Sequence, residues 1–538
     1  MRPLTKVFIA AAWIVGLAVC VGIVVTGQLN SEPPAAATPS ASVTTPSGRP
    51  IPSPSPSPTP TASDWDVALA AARALPEDEA IGRVIMAAVS APDPDAAAAL
   101  VEKYKLGGVI LMPGSLETAD GVVALTSAVQ QAGAGQGVPV LVGVDEEGGE
   151  VSRLRRILPA MPAFMAAGAV DDAELTADAW RSRAVALREL GITVDFAPVA
   201  DVTIGPADPT IRTRSASSDP QRASRAVLAA SSGLEAGGVM PVVKHFPGHG
   251  SVKQDSHLGV ARVARSLGGL EKRDLVPFAD AAAAGVAGMM MGHLVVKGWG
   301  KKPATVNPRA YEYARSTLGF EGVIFTDALN MDGVLDVYPA GVVEAKALAA
   351  GADVVLFPAS VPKAVAGIRA ALDSGELSRE RLDEAVARVS LLASATEATT
   401  ASGSVGLGVV EYSAAAAVVA AKDCSALVKG SVGVSGGTKA QRKRLVKALR
   451  AEGVEVVPYA KADTTVALVP FDRGTAKADV VVALNGPWGL QKSSARTYVA
   501  IWGRGAAQMD ALAAVLAQPA TAKGTWPVKV DVPFEECA

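Results

Sequence analysis

Histidine is nearly missing from this chain: 538 residues hold four. Cysteine is scarcer still, with Cys20, Cys424 and Cys537 only, which excludes a disulfide-built scaffold. Cys20 lies in an apolar run, so Cys424 and Cys537 allow one bridge, though nothing in the sequence requires it. Aromatic residues make up 4%, and small residues dominate, which suits close α/β packing. No charge surplus exists: 53 acidic against 50 basic side chains, net −3. A nucleic-acid partner is therefore not expected. The length exceeds what one hydrophobic core usually organises, so more than one domain is expected.

Arg2 and Lys6 precede an uncharged run, "VFIAAAWIVGLAVCVGIVV", from Val7 to Val25. As a helix it would rise about 28 Å, close to the hydrocarbon thickness of a bilayer. It reads as a signal or anchor segment over residues 1–27, uncleaved or cleaved. Either way the basic flank stays cytoplasmic and the body is exported. The expected localisation is extracytoplasmic, tethered to the cell membrane through this segment or secreted. Lipidation at Cys20 is disfavoured, because "LAV" lacks the small residue expected just before a lipidated cysteine. Residues 28–64 form a Pro/Ser/Thr-rich linker; residues 31–63 carry ten prolines and two charges, Glu32 and Arg49. Such a stretch has too little apolar surface to bury and reads as a disordered stalk.

From there to about residue 400, short β-branched runs alternate with helical patterns. They include "GGVILMP" (107–113), "VPVLVGVDEEGG" (138–149), "VMPVVKHFPGHG" (239–250), "GVIFTDALNM" (322–331) and "ADVVLFP" (352–358). Between them Trp180, Ala184 and Leu187 mark one helix face, ended by Gly191. Continuous apolar strands alternating with helices imply a parallel sheet covered on both faces. The number of units predicts a (β/α)8 TIM-type barrel over residues 65–400. Residues 401–538 predict a second C-terminal α/β sandwich domain with another parallel sheet, in a supporting role. In the barrel part, polar residues gather where apolar runs end: Asp145 and Glu146, Asp195, Asp201, Lys244 and His245, His293, Asp327. That is the end of a barrel that carries active sites.

Three of the four histidines, His245, His249 and His257, fall in "KHFPGHGSVKQDSHLGV", residues 244–260. A metal site, a structural loop and an acid/base site compete as explanations. Pro247 and Gly248 prevent His245 and His249 from sharing a helix face as paired metal ligands. Asp255 and His257, two apart, share a side of an extended loop. The carboxylate would orient the imidazole, giving a proton donor near neutral pH. Asp327, at the end of another strand, is a candidate nucleophile.

These residues resemble glycoside hydrolase family 3. "KHFPGHG" followed by "DSH", with "VDEEGG" upstream and "TDALNM" downstream, is similar to its bacterial β-N-acetylglucosaminidase branch. The resemblance runs from about 75 to 395, and more loosely to the end, where "GTWPV" (524–528) resembles a closing motif of the second domain. It implies a retaining enzyme that removes terminal β-linked N-acetylglucosamine (GlcNAc). Asp327 would be the nucleophile, His257 the acid/base and Asp255 its partner. Asp145, Arg153, Arg214, Lys244 and His245 would bind the sugar. His293 would lie near the nucleophile, and His249 would shape the loop. No metal or cofactor is implied. The expected partner is a GlcNAc-containing glycan or muropeptide, with a β-glucosidase or a GlcNAc phosphorylase as the alternative on the same fold. Ala216 stands where relatives often carry an aromatic residue and is expected to change the pocket wall.

Overall fold

The computed structural model describes residues 62–254, 259–398 and 407–537. Eight short strands build the first sheet: β1 (Ile85–Val89), β2 (Gly108–Leu111), β3 (Leu141–Val144), β4 (Val194–Asp195), β5 (Met240–Phe246), β6 (Gly288–Met291), β7 (Val323–Thr326) and β8 (Val355–Leu356). From β1 to β7 each pairs in parallel with the next, and β1 pairs in parallel with β8. A bridge from Phe325 to Val354 brings β7 against the lead-in to β8. The ring is all but closed, as the alternating pattern predicts.

Alternation along the strands decides what lies inside. Met86, Phe196, Met290 and Phe325 fill the barrel, with Phe196 and Phe325 edge to face at 5.4 Å. Gly143 must lack a side chain there, because a Cβ would lie 2.8 Å from both Met86 and Phe196. The opposite faces of the strands pack under helices. One runs from Ala173 to Glu189, capped by Asp172, whose carboxylate accepts the Leu175 N–H at 3.0 Å. Its buried face includes Trp180, Ala184 and Leu187, and Gly191 ends the turn at φ +77°. The run at 286–296 divides: after β6 the chain turns, and Leu294–Val296 pairs with Ala261–Val263 in a small parallel ribbon.

A second sheet follows, of β9 (Val418–Ala421), β10 (Val432–Gly436), β11 (Thr464–Val469), β12 (Val480–Ala483) and β13 (Thr497–Ala500), in the order β9-β13-β12-β11-β10. The expected all-parallel sheet is corrected here. β9, hidden in an alanine-rich stretch, runs antiparallel to β13. Val480, Val482 and Val499 face the helices Lys439–Ala451 and Ala506–Ala517, whereas Val481, Ala483, Tyr498 and Ala500 join the core shared with the barrel. The period-2 alternation of strand side chains thus welds the two sheets together, and all described residues fall in one compact unit. "GTWPV" is part of this weld: the Trp526 carbonyl accepts from Arg222 at 2.8 Å and the Pro527 carbonyl from Ser217 at 2.6 Å. A disulfide joins Cys424 to Cys537 across 113 residues. Among the described residues no helix is long and apolar enough to cross a membrane. The anchor expectation, and the stalk expectation up to residue 61, fall outside them; the expected linker end at residue 64 is corrected, because the helix Ala62–Ala74 begins within it.

Candidate active site

The polar ends of the strands do meet at one face. Asp145 follows β3 directly, Lys244 and His245 lie within β5, and Asp327 follows β7. Lys244 is the hub. Its buried Nζ lies 2.6 Å from Asp145 Oδ1 and 2.6 Å from Glu147 Oε1. Glu147 in turn accepts two parallel hydrogen bonds from Arg214, at 2.7 and 2.8 Å. Burial alone would raise the Glu147 pKa, but the Arg214 and Lys244 charges outweigh it and hold the carboxyl well below the usual range. Burial opposes charge on Lys244 as well, and Asp145 with Glu147 reverses that, so its pKa is raised. Two cations are therefore fixed by two carboxylates, and Asp145 keeps 21% of its side-chain surface exposed. This arrangement places donors and a partly exposed acceptor side by side, which suits a polar ligand.

His245 turns toward a different partner. Its Nδ1 lies 2.7 Å from Asp201 Oδ2, and Asp201 Oδ1 accepts the His249 N–H at 2.5 Å. Burial opposes ionisation of Asp201, but the His245 charge prevails and its pKa is lowered. Burial pushes the His249 imidazole down to about 4, so it is neutral at pH 7. Asp201 thus locks the start of the histidine segment. The next residues are anchored too: Arg273 donates to Ser251 Oγ at 2.9 Å and to the Val202 and Thr203 carbonyls at 3.1 and 2.7 Å. Asp255 and His257 lie in the four residues outside the described chain.

Asp327 is half-buried, and its Oδ1 accepts the Ala328 N–H at 2.8 Å. His293 is wholly buried. Its Nε2 donates to the Ala328 carbonyl at 3.0 Å and its Nδ1 lies 2.6 Å from Thr305 Oγ1. It therefore fixes the residue that follows Asp327. Arg153 is half-buried in the turn after the hairpin formed by Glu146–Gly148 and Val151–Ser152. Ala216 is wholly buried against Gly168, so the expected effect on the pocket wall is corrected: the position belongs to the core. Asp195 also points inward. Burial raises its pKa well above normal, and it accepts the Glu146 N–H at 2.9 Å.

Two features of the site carry no distinct signal in the sequence. The pocket carboxylate is Glu147; its neighbour Glu146, the expected one, instead secures the hairpin through Ser152 and the Leu154 N–H. The second domain, expected to lack polar strand ends, brings Asp472 and Asn485, just beyond β11 and β12, to the rim of this face. Asp472 pairs with Arg212 at 2.5 Å and accepts from Asn485 at 2.7 Å.

A model of the glycosyl hydrolase family 3 N-terminal domain matches residues 78–392. The chain belongs to glycosyl hydrolase family 3. Beta-hexosaminidase LpqI of Mycobacterium tuberculosis is 36% identical over 307 residues, which are 55% of this chain and 78% of that protein. The solved structure of M. tuberculosis LpqI has a TM-score of 0.55 at 33% identity, covering 61% of this chain and 96% of its own. A family 3 β-N-acetylglucosaminidase from Paenibacillus sp. str. FPU-7 matches through both domains. Its TM-score is 0.74 at 27% identity, and it covers 85% of this chain and 99% of its own.

Proposed function

We propose that the protein is a retaining, exo-acting β-N-acetylglucosaminidase that removes terminal GlcNAc from peptidoglycan fragments outside the cytoplasm. The observation that carries this reading is the convergence of Asp327 with the Lys244, Asp145, Glu147 and Arg214 array on the C-terminal face of the barrel, in a chain similar to proteins named beta-hexosaminidase. Export, read from the N-terminal segment, supports cell-wall material as substrate.

In the proposed reaction the Asp327 carboxylate attacks the anomeric carbon. The glycosidic C–O bond breaks as the His257 imidazolium passes its proton to the departing oxygen. A covalent glycosyl-aspartate remains. Water then attacks the same carbon, His257 takes a proton from it, and Asp327 leaves. Two displacements return the β-configuration. Lys244 and Arg214, held by their carboxylates, keep donors aimed at the sugar without reorganising during the reaction. The Ala328 N–H, steadied through His293, holds the nucleophile's orientation.

The test compares p-nitrophenyl β-GlcNAc with the β-glucoside, each with and without phosphate. GlcNAc release without phosphate, giving the β-anomer first by NMR, is expected. Production of GlcNAc 1-phosphate would instead make the enzyme a phosphorylase using the same residues, and preference for the glucoside would overturn the substrate assignment.

A further inference from the structure

The hydrogen bonds around His293 allow its protons to be counted. The residue stands just beyond β6 and is wholly buried. On one side of the ring, Nε2 lies 3.0 Å from the Ala328 carbonyl. On the other, Nδ1 lies 2.6 Å from Thr305 Oγ1. The Thr305 hydroxyl, wholly buried as well, donates to the Gly292 carbonyl at 3.1 Å. Both ends of that bond are pinned. The Thr305 carbonyl accepts the Tyr311 hydroxyl at 2.7 Å, and the Gly292 N–H donates to the Phe246 carbonyl at 2.9 Å.

A carbonyl only accepts, so the ring nitrogen that faces Ala328 carries a proton. A threonine hydroxyl has one proton, and here the Gly292 carbonyl takes it. Oγ1 is left to accept, so Nδ1 must donate to it. A neutral imidazole has a single N–H and satisfies only two of these three contacts. With the proton on Nε2, either Nδ1 meets the lone pairs of Oγ1, or the hydroxyl turns to Nδ1 and the buried Gly292 carbonyl loses it. With the proton on Nδ1, Nε2 meets the Ala328 carbonyl lone pair to lone pair. Each case leaves a buried polar group unsatisfied. The doubly protonated ring satisfies all three.

A buried cation requires an anion beside it, and the end of β7 supplies one. Asp327 precedes Ala328 in the chain and accepts the Ala328 N–H at 2.8 Å, while His293 holds the carbonyl of the same residue. Other ionisable neighbours of the network do not take that part. His245, whose Cβ lies 3.2 Å from where a Cβ on Gly292 would stand, is turned to Asp201. Burial raises the Tyr311 pKa, so its hydroxyl stays neutral. We infer that His293 is a buried imidazolium whose charge keeps the Asp327 carboxylate ionised. The inference rests on Asp327 as the nucleophile and deepens that reading. His293 is a positioning residue: it acts through Asp327, favouring the anion before it attacks and again as it departs.

The first measurement is NMR of the full chain labelled with ¹⁵N in histidine. Four imidazoles are few enough to assign by elimination in His245→Gln, His249→Gln and His257→Gln. At pH 7 both ring nitrogens of His293 are expected to resonate as protonated. One unprotonated nitrogen at that pH overturns the inference, and this result requires no substitution at His293 itself. The second measurement reads the effect on Asp327. His293→Gln retains an N–H for the Ala328 carbonyl and removes the charge. The acid limb of kcat/KM against pH on p-nitrophenyl β-GlcNAc reports protonation of the free enzyme's essential carboxylate. Loss of a neighbouring cation raises the pKa of a carboxyl group, so the limb should move up by about one pH unit. An unmoved limb in a variant that circular dichroism shows to be folded overturns the effect on Asp327. Failure of the wild-type chain to turn over p-nitrophenyl β-GlcNAc overturns the glycosidase reading instead, and the NMR result still decides the charge of His293.

Discussion

The barrel buries an ion network at each end, and the two networks have different architectures. At the C-terminal face, Glu147 is clasped by Lys244 and Arg214. At the opposite end, just before β8, wholly buried Asp353 takes Arg315 at 2.5 Å and Arg381 at 2.6 Å, with Arg388 at 3.6 Å. Both carboxylates are held ionised against the cost of burial by neighbouring guanidinium or ammonium charge. The difference lies in what else the cations touch. Arg315 also donates to the Phe320 and Gly322 carbonyls, and Arg381 to the Ala352 carbonyl. The lower network therefore ties loops and helices together. Lys244 and Arg214, among the described residues, bond carboxylates of the pocket and no main-chain carbonyl, and Asp145 remains open to it. One network is a clasp; the other is a set of preoriented groups for a ligand. Conserving barrel geometry and, in the proposed function, binding sugar thus fall to opposite ends, as expected for barrel enzymes.

The largest effect expected is that of Asp327→Ala, which should lower kcat on p-nitrophenyl β-GlcNAc by at least about 10⁴-fold. The folded state should persist by circular dichroism, since Asp327 is half-buried beside the pocket. Turnover near the wild-type rate would remove Asp327 as nucleophile. Glu147→Gln comes next. It leaves Lys244 and Arg214 without their common anion, and a loss on the order of 10²-fold in kcat/KM is expected, with a fall in stability. Asp353→Asn should separate the two networks. Breaking the lower clasp should cost about 3 kcal/mol in urea unfolding, while kcat/KM of the folded enzyme stays within about twofold. A tenfold kinetic loss in that variant would erase the distinction between the two ends.

Much of this was readable because the barrel repeats one rule. Apolar runs with a polar terminus are enough to put Asp145, Lys244, His245 and Asp327 on one face. The rule fails where adjacent residues share a type. Glu146 and Glu147 differ only in which way the hairpin after β3 turns each side chain, and a sequence does not carry that turn. It also fails where a strand has no pattern: Val418–Ala421 follows a run of four alanines and shows neither alternation nor helical period. The second domain's part in the site escaped for a third reason. Asp472 and Asn485 acquire meaning from Arg212 and Glu150, more than 250 residues earlier, and pairing of that kind is a property of tertiary packing alone.

The last predicted effect appears only in acid and concerns His249, to which the family resemblance gives the part of shaping the loop. Its imidazole faces Asp201, His245 and Arg214. Burial is the main influence and lowers its pKa from 6.5 to about 4. The sign follows from proton binding. Between those two values the unfolded chain takes up a proton at His249 and the folded protein does not. Stability therefore falls as pH drops from 6.5 toward 4 and is unaffected by this group above 6.5. At 1.36 kcal/mol per unit the full effect is about 3 kcal/mol. Other groups add their own slopes: Asp201, with its lowered pKa, loses stability at still lower pH, and Asp195, with a raised one, acts in the opposite sense. The comparison with His249→Gln cancels these, because Asp201 keeps its bond to the main-chain N–H of residue 249. Urea unfolding at intervals from pH 4 to 7 should show the wild type losing about 3 kcal/mol more than the variant over that window. Parallel profiles would mean that the His249 imidazole titrates in the folded protein as it does in the unfolded chain, and that its burial carries no cost in acid.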